Sequence, residues 1–141
     1  MNLKNVLARF RQNLLALGEN YPEIVSENIL MPNQFKEEVE NRLLIELSII
    51  VQTTAMHTET QRTIRLAVRH TVSVPMNSGT DRLYEICSAI AGSWSERLPE
   101  RSGFSLPNGQ NIYVRSIEQH QGEALQDACK ASVDIIIDLY E

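Results

Sequence analysis

The chain predicts an α+β fold, a mostly antiparallel β-sheet with two helices packed on one face, in the order α-β-β-α-β-β. Three observations lead there. Two segments repeat apolar residues at helical spacing, four segments alternate apolar and polar residues at the period of a strand, and the strands come in pairs after each helix. Paired strands form hairpins, and the apolar stripes of both helices then find cover on the apolar face of the sheet.

The first helix spans residues 2–17, with Leu3, Val6, Leu7, Phe10, Leu14 and Leu17 on one stripe and Gly18 behind its last turn. Residues 19–40 hold Pro22 and Pro32 and a short apolar run at 29–31, which fits an irregular connector with one short edge strand. Leu43, Ile45, Leu47, Ile49 and Val51 then put one face of a strand in the core. A polar loop is expected over 52–61. The second strand directs Ile64, Leu66, Val68, Val72 and Val74 one way and Thr63, Arg65, Arg69, Thr71 and Ser73 the other, and Pro75 ends it. Asn77, Ser78 and Thr80 offer N-caps for a second helix whose stripe is Leu83, Ile86, Cys87, Ile90 and Trp94, with Asp81 favourably placed in its first turn. After a loop at 99–109, residues 112–117 read as a third strand and 118–127 as a polar connection. In the fourth strand Ala131, Val133, Ile135, Ile137 and Leu139 alternate with Ser132, Asp134 and Asp138.

Composition bounds the function. With 141 residues and 43% hydrophobic content, the chain is expected to form a single domain over 1–141. Its net charge is −5 and its basic residues are scattered, which disfavours sequence-independent nucleic-acid binding. The strongest apolar stretch, 43–51, is interrupted by Glu46 and is far shorter than the roughly 20 residues of a membrane span. The N-terminus lacks the apolar core and cleavage site of a secretory signal, so the cytoplasm is the expected compartment. Cys87 and Cys129 lie far apart without metal-ligand spacing and are expected to be reduced, small buried hydrophobes.

Catalytic signatures are missing. The sequence has no GxSxG, GxGxxG or GxxxxGK[ST], so acyl transfer, dinucleotide binding and phosphate cradling lack their usual backbone. His57, His70 and His120 are dispersed: His70 falls on the apolar face of a strand, and the other two fall in expected loops as solvated residues. No metal ligands, cofactor site or catalytic residues are assigned, and the chain is read as no enzyme. The run Glu37, Glu38 and Glu40 reads as a solvated face. More informative are Arg65 and Arg69 on the second strand and Asp134 and Asp138 on the fourth, like charges four apart on one side of each strand. If the strands are neighbours, the charges pair across the sheet. If they are not, the two rows suit a head-to-tail contact between identical subunits.

Several patterns together resemble the tail terminator proteins of long-tailed bacteriophages, the lambda-type minor tail protein U family. They are the alternating strand 63–74 ending in Pro75, the capped helix 79–94 that begins Thr80-Asp81-Arg82-Leu83, the terminal unit of 112–117, Gly122 and 133–140, and the ILMPNQF segment at 29–35. The resemblance implies a subunit of a six-fold ring that docks on the last ring of the major tail tube protein, stops its polymerisation and offers a surface to the head–tail connector protein. DNA would only pass through the lumen, and the acidic balance would keep it from sticking. The place implied is the virion tail or neck, with host cytoplasm during assembly and no membrane. No cofactor is implied. The long polar stretch 52–61 departs from the family and leaves open which loop meets the tube.

The assembly residues expected on these grounds are Thr53, Thr54, Met56, His57, Glu59, Arg65, Arg69, Asp134 and Asp138. The 52–61 loop, having only Ala55 and Met56 as apolar residues, is expected to order against a partner. A head–tail completion protein of related fold is the nearest rival reading. A small ligand-binding regulatory domain is a third, and it requires a concave pocket with convergent polar groups.

Overall fold

The computed structural model describes residues 3–32, 43–75, 80–95, 104–105, 111–124 and 128–140. The Glu37, Glu38 and Glu40 run, the Asn77 and Ser78 caps, Asn33 to Phe35 of the ILMPNQF segment and most of the 99–109 loop lie outside them.

Helix α1 is Leu3–Leu17 and helix α2 is Asp81–Ser95; between them run β1 (Ile29–Leu30), β2 (Leu44–Met56) and β3 (Arg62–Pro75). Strands β4 (Phe104–Ser105), β5 (Asn111–Ala124) and β6 (Ala128–Tyr140) follow α2. The sheet order is β1-β2-β3-β6-β5-β4, so the two long hairpins meet along β3 and β6 at its centre. Every pairing is antiparallel except β1 with β2, which makes the sheet mixed. The fold is therefore α+β as expected, with two short strands, β1 and β4, added to the predicted order. The 29–31 apolar run did form an edge strand.

Both helical stripes fill one core. Val6, Leu7, Phe10 and Leu14 of α1 and Leu83, Ile86, Cys87, Ile90 and Trp94 of α2 are buried against the even positions of β3 and the odd positions of β6. Phe10 stacks on Trp94 with ring centroids 4.6 Å apart and tilts against His70 at 5.6 Å. Asn13 donates from Nδ2 to Ser93 Oγ at 2.9 Å, linking the helices at the rim. At the end of α1 the chain turns so tightly that a Cβ on Gly18 would sit 2.4 Å from the Ile24 carbonyl oxygen, which only glycine permits. Arg82 closes the other side, pairing with Glu23 and, at 3.0 Å, with Glu85, and lying over the Tyr21 ring. The Thr80 carbonyl accepts the first bond of α2 from Tyr84 N–H at 3.0 Å. Among the described residues no helix is long and apolar enough to cross a membrane.

Both hairpins are longer than expected. Residues 52–56 belong to β2, paired in register from Gln52↔Leu66 to Met56↔Arg62, and only 57–61 form the turn. Likewise β5 runs to Ala124, so Glu118 and His120 are strand residues and not loop residues. The physical reason is shared. Where a strand is exposed on both faces, the ladder of backbone hydrogen bonds holds it extended without any hydrophobic alternation to betray it. A bulge at Ile50 also shifts the register between Ile49↔Val68 and Val51↔Ala67. It turns Val51 away from the core, to 46% exposure, against the expected inward face.

Candidate functional site

The sheet face opposite α1 and α2 is built from the odd positions of β3 and the even positions of β6. Strands β3 and β6 are neighbours, with Arg65 directly across from Asp138 and Arg69 across from Asp134. The first of the two expected arrangements is therefore the one formed, and the charged rows pair within the chain. Arg65 donates from Nε and Nη2 to Asp138 at 2.8 and 3.1 Å, and Arg69 donates in the same way to Asp134 at 2.8 and 2.9 Å. This two-pronged geometry matches a planar guanidinium to a planar carboxylate.

Two further side chains reach in from β5. Arg115 Nε lies 3.3 Å from Asp138 Oδ2, and His120 Nε2 lies 2.9 Å from Asp134 Oδ2. Both aspartates are only 2% exposed, although among the described residues no helix covers this face; the arginine side chains bonded to them lie over them. Burial pushes the Asp134 carboxyl up, but hydrogen bonds from Arg69 and His120 outweigh it and hold the group below the usual carboxylate range.

The nine expected assembly residues fall into two sets that meet. Thr53 pairs with Arg65, which pairs with Asp138, which pairs with Tyr113, so one transverse row joins β2 to the charged strands. The next row, Val51, Ala67, Ile136 and Ser116, is mostly apolar, and the row of Arg69, Asp134 and Glu118 lies beyond it. Thr54 lies on the opposite face, paired with Ile64, and Met56 ends β2. His57 and Glu59 are exposed in the turn, where His57 Nε2 is 2.7 Å from Thr63 Oγ1. The turn closes on its own bonds: His57 N–H donates to the Gln61 carbonyl at 2.9 Å, and Gln61 N–H donates to Thr58 Oγ1 at 2.9 Å. This differs from a segment ordered only by a partner, because a threonine hydroxyl supplies the local bonds of the turn. Beside it, His57, Thr60, Gln61, Arg62 and Tyr140 line an open cavity of about 350 Å³.

Sequence reasoning missed Arg115, Glu118 and His120. Glu118, Gln119 and His120 are all polar, so no apolar–polar alternation marked them as strand residues facing Asp134. On the buried face, His70 is fully enclosed; its Nδ1 is 3.3 Å from the Val133 carbonyl and its Nε2 has no hydrogen-bond partner. Burial depresses its pKa to about 4, so the ring is neutral at pH 7. Burial also pushes the Cys87 thiol up to about 11, which leaves it unreactive.

No family model matches the chain, and no curated protein matches it. Solved structures do match in fold. One, which carries no functional name, superposes with a TM-score of 0.70 over 99% of this chain and 96% of that chain at 13% sequence identity. At that identity the likeness is one of fold alone.

Proposed function

We propose that the chain is a ring-forming structural subunit of a phage tail, a tail terminator that caps the tail tube, stops its polymerisation and presents a surface to the head-side connector. The observation that carries this is where exposed apolar side chains gather. Of the six large hydrophobic residues that stand exposed among the described residues, Ile50, Val51 and Met56 lie on β2, and Tyr140 ends β6 opposite Thr63. Val51 and Tyr140 stand on the open charged face, in the rows of Ala67 and Thr63, while Met56, two residues on from Thr54, stands on the opposite face; exposed apolar side chains beside charged ones suit a protein contact. A role without catalysis accords with the absence of catalytic signatures in the sequence. The pairing of Arg65 and Arg69 with Asp138 and Asp134 fixes the guanidinium planes against the sheet, so a neighbouring subunit would meet a stiff surface. The sequence resemblance supplies the six-fold ring, the tail tube protein and the connector as partners, with the virion tail or neck as the place.

Light scattering on the purified chain, alone and with tail tubes, together with negative-stain images, tests the proposal. Ring-shaped particles in solution or on tube ends are expected. A protein that stays monomeric at high concentration and also leaves tubes uncapped would rule out a terminator.

A further inference from the structure

Glu118 and His120 stand two apart on β5 and share the outer face, and Asp134 lies directly across from Glu118 on β6. His120 Nε2 is 2.9 Å from Asp134 Oδ2 and 4.0 Å from Glu118 Oε2, and the donor atoms of all three lie within 4.8 Å of one another. Bonds of about 2.0–2.2 Å from imidazole nitrogen and carboxylate oxygen to one ion leave its donor atoms roughly 3–4 Å apart. Side-chain movements of about 1 Å therefore bring the trio around a single ion.

We propose that Glu118, His120 and Asp134 form a binding site for a divalent transition-metal ion of the zinc type on the outer face of the sheet. The site is independent of the assembly role proposed above. One imidazole and two carboxylates suit zinc, cobalt or manganese, whereas calcium and magnesium favour all-oxygen sets. Asp134 is the anchor: it is 2% exposed, and Arg69 fixes both its oxygens, the kind of outer hydrogen bonding that orients a metal-ligating carboxylate. Glu118 and His120 have side chains 61% and 45% exposed, which gives the ion an open approach and leaves its remaining positions to water.

The ion takes the place of the hydrogen between His120 and Asp134, so the neutral ring carries its hydrogen on Nδ1 and offers Nε2 as ligand. Two carboxylates against the one charge of Arg69 leave the site negative, which draws a dication. The same arginine repels it, so binding is readily reversible and not that of a closed structural centre. A bound ion would tie β5 to β6 beside the irregularity between His120 and Glu123, where their ladder is interrupted.

Titration of the chelator-treated 141-residue chain with Co²⁺, followed by visible d–d absorption, and with Zn²⁺, followed by calorimetry, tests the site. Saturation at one ion per chain is expected. His120→Ala and Glu118→Gln should each weaken binding by at least about tenfold, and His57→Ala, in the distant β2–β3 turn, should leave it unchanged. Zn²⁺ should raise the melting temperature of the unaltered chain and not that of His120→Ala. Circular dichroism checks that each variant is folded, and Glu118→Gln, on an exposed side chain, keeps the test open if His120→Ala does not fold. Absence of binding at a large excess of ion would overturn the site. So would binding that survives both substitutions, or binding that is lost in His57→Ala.

Discussion

The two faces of one sheet reach the same degree of burial by opposite means. On the helix-covered face, Leu66, Val68, Val133, Ile135 and Ile137 are excluded from water by apolar packing against α1 and α2. On the open face, Asp134 and Asp138 are buried almost as completely by the arginines bonded to them. Apolar packing on the first face carries no charge to titrate, the buried His70 aside. Burial on the second persists only while each carboxylate keeps its partner, because an ionised group left unpaired in that position is costly. A face built in this way is held stiff by its own ion pairs.

Trp94→Ala should produce the largest effect. Trp94 is fully buried and stacked on Phe10, and the truncation should cost about 3–5 kcal/mol in denaturant titration. A loss below about 1 kcal/mol would mean that the helix-covered face is not the main source of stability.

Acid comes next, and it acts on both faces. His70 has a folded pKa of about 4 against an ordinary 6.5, so the unfolded chain binds more protons in between. Stability is therefore highest above pH 6.5 and falls as pH drops towards 4, by up to about 3 kcal/mol from this residue. His70→Leu should flatten that slope, measured as unfolding free energy at a series of pH values. The depressed Asp134 carboxyl adds a further loss as pH falls through its lowered folded value. An unchanged slope in His70→Leu would assign the acid response to the open face alone.

Arg69→Ala should cost about 2 kcal/mol, since it strips two charge-assisted bonds from a buried carboxylate. Arg65→Ala should cost less, because Arg115 remains beside Asp138. A double-mutant cycle between Arg69 and Asp134 isolates the pair. Coupling near zero would make the ladder a surface ornament and not a support.

Much of this architecture was legible in the sequence. Wherever one strand face is buried, as at Ile64 to Val74 and Ala131 to Leu139, alternation fixed the side each residue takes. It failed where burial on that face ended. The bulge at Ile50 reversed Val51, and Gln52 to Met56 and Glu118 to Ala124 continued as strands on backbone bonds alone. The charged rows were visible, but their pairing depended on β3 and β6 being neighbours, a fact of topology that spacing does not encode. The trio on β5 and β6 was hidden twice over, by the unrecognised length of β5 and by the distance in sequence to Asp134.

The smallest effect on the isolated chain should come from Val51→Thr and Met56→Gln. Both residues are exposed, so each should change stability by less than about 0.5 kcal/mol while weakening assembly, read by light scattering. Equal assembly in the variants would move the contact elsewhere.

Hydrogen exchange tests the proposed contact most directly, comparing the dispersed chain with the chain assembled on tail tubes. Slower exchange confined to residues 50–65 and to the C-terminal end of β6 is the expected result. Unchanged exchange there in an assembled complex, with protection appearing on α1 or α2 instead, would contradict the placement of the assembly surface on the open, charged face and its apolar end.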